Sequence, residues 1–286
     1  LFTLMGVLGL MIATGRAYRS AIILYGLAFT YVELIDKANY LNHYYFISLC
    51  AGLMALLPLG RLHLGEESPR GVRWMLWALR LQVGMVYFFA GLAKIQTDWL
   101  IDAQPLTIWL TARGDRPLIG PLLAWPLTPY LMSWGGCLFD LMVPFALAIP
   151  RTRALAYLGV ILFHGLTGWL FNIGIFPWVM IALTPIFFDP SWPRRFLSPS
   201  LPSTSGPQAT PPLRLHPVIA PILALALGVQ LLIPLRHYLY PGNHLWHESG
   251  FRFAWHVMIM AKTGHLAYIV PCEGGHRPCG NPGALL

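Results

Sequence analysis

WMLWALRLQVGMVYFFAGLAKIQTDWL, residues 74–100, is the stretch that decides the fold. A bilayer's hydrocarbon core, about 30 Å thick, takes about 20 helical residues to cross. This run is long enough, yet it carries Lys94 a turn or two before its polar end. On insertion scales a lysine at the centre of a spanning helix costs about 2.5–3.5 kcal/mol, and less near an end. Apolar surroundings also favour the free amine over the ammonium. Lys94 is therefore the first candidate for chemistry, the alternative being a side chain that snorkels to the headgroups.

The rest of the chain agrees with a membrane reading. Of its 286 residues 56% are hydrophobic and 10% charged, against about 25% charged in globular proteins. The composition predicts an integral membrane protein of the all-α class, a polytopic bundle of about eight spans. They are read at 1–14, 20–35, 46–60, 74–97, 127–149, 154–171, 174–188 and 216–235. Leu1 lies inside an apolar run without a preceding basic region, so the expectation is a chain truncated upstream whose first residues end a spanning helix. The net charge of +8 does not indicate nucleic acid, because the basic residues fall between apolar spans. Four cysteines are too few for a disulfide scaffold. Cys272 and Cys279 are the one plausible pair, with a zinc site including His276 as a weaker alternative; no metal site is assigned.

Three segments follow from composition. Residues 1–240 form the transmembrane domain, 198–212 (SPSLPSTSGPQATPP) a flexible linker within it, and 241–286 a short tail that is either a fragment of a larger domain or a distinct way of meeting substrate. Ten of the 19 basic residues collect on one side of the alternating connections: Arg16, Arg19, Arg61, Arg70, Arg73, Arg151, Arg153, Arg194, Arg195 and Arg214. That side, with the linker, is cytoplasmic by the positive-inside rule, which puts the tail outside.

Unusual polar groups converge on the outer leaflet. Asp36, Lys37, Asn39, Asn42 and His43 precede or open the third span. Lys94 sits near the outer end of the fourth, and Asn172 closes the sixth two turns beyond His164. Asp140 is deeper, mid-span in GGCLFDLMVPFALAIP. A buried carboxylate needs a partner; Arg80, a tyrosine or a histidine are the choices read from depth.

The ordered segments DKANYLNHYYFISL (36–49), YFFAGLAKIQTDWL (87–100), GGCLFDLM (135–142) and FHGLTGWLFNIGIFPWVMIALTPIFF (163–188) resemble the membrane domain of vitamin K-dependent γ-glutamyl carboxylases. Their bacterial relatives, the horizontally transferred transmembrane domain proteins, share these segments. PLRHYLYPGNHLWHESGFRFAWHVMIMAKTG (234–264) is similar to the segment that follows the family's last helix. The resemblance places the catalytic lysine at Lys94, the asparagine–histidine pair at Asn42 and His43, and a further histidine at His164. It puts Ala93 where vertebrate members often carry a second lysine.

The implied chemistry needs a base stronger than any side chain, since a glutamate γ-hydrogen is far too weakly acidic for a group tuned near neutral pH. The resemblance implies that a neutral Lys94 deprotonates a reduced vitamin K or menaquinol-type naphthoquinone. Its reaction with dioxygen yields the base that takes the γ-hydrogen, and carbon dioxide then adds to the carbanion. His43 acts with Lys94 as a catalytic group, while Asn42 and His164 bind the cofactor by hydrogen bonds to its oxygens. Water must be kept out. The implied partners are a glutamate-containing protein or peptide and the membrane's lipid and quinone pool; the implied location is a bacterial inner membrane with the site facing outward. His63, His216, His237, His244, His247 and His256 receive no catalytic role, and Tyr44 and Tyr45 are read as packing. Two alternatives stand beside the carboxylase. One is a quinol oxygenase that fixes no carbon dioxide. The other is a transporter or scaffold using Lys94 and Asp140 as a buried polar path, which requires that those two residues approach one another.

Overall fold

The structure is a computed structural model and describes residues 1–36, 39–57, 72–171, 173–189, 192 and 217–262. Lys37, His63, Asn172, His216, the 198–212 linker and the Cys272, Cys279 and His276 group lie outside the described residues. Within them the chain is all α, without strands, as its composition predicts.

The helices in chain order are α1 (Phe2–Thr14), α2 (Tyr18–Leu34), α3 (Asn42–Leu56), α4 (Val72–Leu92), α5 (Thr97–Leu100), α6 (Leu106–Thr111), α7 (Gly120–Leu123), α8 (Thr128–Ala148), α9 (Arg153–Leu170), α10 (Phe176–Leu183), α11 (Ile219–Leu232) and α12 (His244–His247). Tight 3₁₀ turns extend α10 over Thr184–Phe187 and α11 over Ile233–Leu239. Among the described residues four helical stretches are long and apolar enough to cross a membrane: Trp74–Leu92, Thr128–Ala148, Arg153–Leu170 and Ile219–Leu239. The other four expected spans are helical over most of their described residues, but α1, α2 and α3 have 13, 17 and 15 residues, short of the roughly 20 that a perpendicular crossing takes. The fourth span ends at Leu92 rather than residue 97, and the connection beyond it folds into α5, α6 and α7.

Among the described residues α4 and α8 make the most extensive helix contact. Gly84 and Gly91, seven residues apart, lie on one face of α4, where small residues let backbones close up. A Cβ on Gly84 would touch Pro144 at 3.5 Å, and one on Gly91 would stand 2.8 Å from the Leu141 backbone nitrogen. On α8, Leu141 and Pro144 meet these glycines and Cys137 Sγ donates to Gly91 O at 3.6 Å, while Gly136, Asp140, Val143 and Leu147 are buried. Leu131, Leu138, Met142 and Phe145 form the opposite, exposed stripe, the one that meets lipid.

The segment after α11 folds back into the bundle. Trp255 is fully buried, stacked on Tyr45 at 5.2 Å and edge-on to Phe46 at 6.1 Å between ring centroids. Tyr40 Oη accepts a hydrogen bond from the Phe253 backbone (2.7 Å), and Asn42 Nδ2 donates to the His256 carbonyl (2.9 Å).

Candidate functional site

Helix α4 stops at Leu92, and a turn carries the chain through Lys94, whose backbone nitrogen donates to Gly91 O at 3.0 Å. A helical side chain leans toward its own N-terminus, and here that direction leads inward. Lys94 Nζ donates to Ala90 O at 3.1 Å and to Asp140 Oδ2 at 2.8 Å. The residue is 5% exposed. Lys94 therefore turns away from the headgroups, and the snorkelling alternative does not hold.

The close crossing at Gly91 makes this pair possible. Leu141, against which Gly91 packs, is the residue after Asp140, so the α4 terminus and the Asp140 side chain meet at the same level. Arg80, one of the partners considered for Asp140, is engaged elsewhere. It donates to Ile186 O (2.9 Å) and Phe188 O (3.1 Å) at the end of the α10 extension, where a cation satisfies carbonyls left open by a helix end. The third direction around Lys94 is closed by Trp99, its ring centroid 5.4 Å from Nζ. Trp99 is locked in turn: Nε1 donates to Ser133 O at 2.9 Å, and Ser133 Oγ donates to Trp99 O.

Lys94 and Asp140 face a cavity of about 70 Å³ within about 670 Å³ of space between its walls, open mouth included. Phe163, Phe171 and Phe176 line it, with Met132 and Met258. His164 supplies its other polar wall. His164 Nε2 lies 3.0 Å from Tyr87 Oη, which is 3.5 Å from Thr184 Oγ1. Thr184 spends its own proton on Met180 O at 2.7 Å, so between these two hydroxyls Tyr87 is the donor and Thr184 the acceptor. The chain Thr184–Tyr87–His164 fixes the imidazole on the cavity wall.

The four expected site residues are thus divided. Lys94 and His164 share the cavity. His43 is buried behind Phe176, ring centroids 5.8 Å apart, while Phe176 stands 5.8 Å from His164 on its other side. Asn42 spends its amide on the fold: Oδ1 accepts from Tyr40 Oη (3.1 Å) and Nδ2 holds the His256 carbonyl. Sequence reasoning missed Tyr87, Trp99 and the roof residues Val257 and Met258. The tyrosine and the tryptophan had a signal, since a polar aromatic inside or just past a span needs a partner. The roof had none.

Apolar helices around a buried lysine–carboxylate pair, beside an apolar cavity, define an integral membrane protein. The HTTM domain matches residues 1–192, more than half of the chain, and the chain belongs to that family. The lumenal domain of vitamin K-dependent gamma-carboxylase matches residues 215–276, which makes this a vitamin K-dependent carboxylase-like membrane protein. No solved structure matches the chain.

Proposed function

We propose that this protein is a quinol-dependent carboxylase: it couples oxygenation of a reduced vitamin K-type naphthoquinone to removal of a glutamate γ-hydrogen and addition of carbon dioxide. The observation that carries the reading is Lys94 Nζ, buried and hydrogen-bonded to Asp140 at 2.8 Å, on the wall of an aromatic cavity. The lining suits a planar, greasy ring bearing hydroxyls: three phenylalanines for the ring, and Lys94 and His164 for its oxygens. The space between the walls falls within the about 300–1,000 Å³ of ligand pockets, but the enclosed part is smaller than a bicyclic ring. Met132, Met180 and Met258 are the lining residues that re-pack most readily to admit it.

Bound there, the reduced naphthoquinone would supply, with dioxygen, the strong base that the side chains lack. Lys94 is the acceptor of a hydroxyl proton at Nζ. In the uncharged form of the pair, an amine beside a carboxylic acid, Nζ has a free electron pair. The proton it takes leaves an ammonium hydrogen-bonded to Asp140, with the oxygen that lost the proton as its counter-charge, so charge never stands alone in the membrane. His164, whose Nε2–H is held by Tyr87, orients the ring by accepting from its other hydroxyl. Trp99 and the Val257–Met258 roof exclude water. Asn42 positions that roof through His256, and His43 supports the wall from behind Phe176. The site opens toward the extracytoplasmic side, where the glutamate-bearing peptide arrives.

A second reading has an observation of its own. The approach of Lys94 to Asp140 is what a transporter with a buried polar path requires, and Tyr87, Thr184 and Gln82 continue polar groups below the pair, all buried. One assay separates the readings: purified protein with reduced naphthoquinone, oxygen, labelled bicarbonate and a glutamate peptide, beside Lys94→Ala. Epoxide and acid-stable label, both lost in the variant, support the carboxylase. Epoxide without label makes it a quinol oxygenase. Neither product, from folded and quinone-binding protein, moves the assignment to the transporter.

A further inference from the structure

Three histidines of the C-terminal segment form a cluster that this chemistry does not use. His237 lies in the 3₁₀ turn after α11, His244 opens α12, and His256 follows the buried Trp255. Their ring centroids are 4.4, 4.9 and 5.1 Å apart for the 237–244, 237–256 and 244–256 pairs. One ring nitrogen from each lies within 4.8 Å of the others.

The orientation of the rings is that of a ligand set. His237 Nδ1 is 2.8 Å from Pro234 O; a carbonyl only accepts, so Nδ1 carries the hydrogen and the Nε2 electron pair is left for the cluster. An outer carbonyl of this kind is the usual support of a metal-binding imidazole. His256 is 4% exposed, and neither ring nitrogen has a hydrogen-bond partner. The Phe251 backbone lies near the ring but outside hydrogen-bonding geometry. Two neighbouring polar side chains are engaged elsewhere: Glu248 pairs with Lys262 at 2.6 Å, and His247 Nδ1 accepts from the Ser249 backbone. Packing alone does not account for a buried ring with two unmatched polar atoms.

The backbone is shaped to bring the three together. Gly250 has φ +73°, and a Cβ there would stand 2.7 Å from the Cα of His237. The turn leading to His256 is therefore pressed directly onto the His237 limb, at a position only glycine fits.

We propose that His237, His244 and His256 bind one divalent transition-metal ion, zinc by preference, and that the ion fastens the C-terminal segment over the cavity. Three imidazoles with a fourth position open to water suit zinc. Tetrahedral coordination at about 2.0–2.1 Å brings the nitrogens to about 3.3 Å of one another, so the rings close by on the order of 1 Å. The link to the cavity is covalent and short: the His256 carbonyl holds Asn42, and the next two residues, Val257 and Met258, form the roof. This site stands whether or not a quinol is the cavity's ligand.

The test uses the full chain in detergent, in a Cys272→Ser/Cys279→Ser background so that the tail thiols contribute no ligands. Chelator-stripped protein is titrated with Zn²⁺ alone and, separately, with Co²⁺. The expected result is one equivalent of zinc retained through gel filtration, and the visible bands of tetrahedral cobalt. His256→Ala and the half-buried His244→Ala should each weaken binding by at least about 10–100-fold, the loss that even an outer-shell partner brings, while His247→Ala should not. Hydrogen exchange at residues 244–258 should slow on zinc addition in the parent and not in His244→Ala. Absence of stoichiometric zinc, or affinity unchanged in both cluster variants, overturns the site. Binding with unchanged exchange at 244–258 overturns the fastening role.

Discussion

Replacing Asp140 by leucine should destabilise the protein strongly, and replacing Lys94 by methionine as well should recover most of the loss. At 2.8 Å and an effective dielectric of about 20, the attraction between full charges is about 6 kcal/mol. Removing both from water takes back several kcal/mol per ion, so the pair's net worth against an apolar pair of similar volume is near zero. Removing one member is different, because the other stays buried without a counter-charge at a cost of about 3–5 kcal/mol. Both side chains are 6–7% exposed, so solvent offers little relief. Each single variant should therefore lose about 3–5 kcal/mol, and Lys94→Met/Asp140→Leu should fall within about 1 kcal/mol of the parent, a coupling at the upper end of contacting pairs. SDS titration in mixed micelles, followed by tryptophan fluorescence, measures all four proteins. Additive losses, or single variants indistinguishable from the parent, would refute the reasoning.

Three other perturbations follow. Gly91→Ala drives a Cβ to 2.8 Å from the Leu141 backbone; it should cost about 1–3 kcal/mol as overpacking and reduce turnover by parting Lys94 from Asp140, whereas unchanged stability would place the helix crossing elsewhere. Asn42→Ala strips the His256 carbonyl of its donor, which should cost about 1–3 kcal/mol and speed hydrogen exchange at 253–258; uniform exchange would contradict its role as the roof's tether. Tyr87→Phe takes the hydroxyl from His164 and Thr184 and should cost about 1–3 kcal/mol in thermal unfolding, with a null effect dissolving the proposed support of His164.

Lys94 was legible because a charge in an apolar run is conspicuous in one dimension, and α4 explains its placement by the backward lean of helical side chains. Its partner was not. Depth counted along each span favours Arg80 as readily as Lys94 for Asp140; the choice is made by where α4 and α8 cross, which depends on Gly91 fitting against Leu141. The Asn42–His43 pair was legible as a polar interruption at the start of a span, yet Asn42 finds its partner more than 200 residues later, a separation no local pattern encodes. The number of spans was less legible, since apolar runs of 13–17 residues look alike in sequence whether they cross the membrane or only lie in it. The histidine cluster has spacings of seven and twelve residues, and it assembles only because Gly250 permits a backbone turn that side-chain chemistry does not foretell.

The pair can be retained for stability or for chemistry, and the Lys94→Met/Asp140→Leu protein separates the two most directly. Its epoxide yield from reduced naphthoquinone under oxygen should be measured beside the parent at equal folded concentration. The account predicts a protein that folds as well as the parent and forms no epoxide. Epoxide at the parent's rate would contradict it, because the proton would then be leaving the quinol without Lys94.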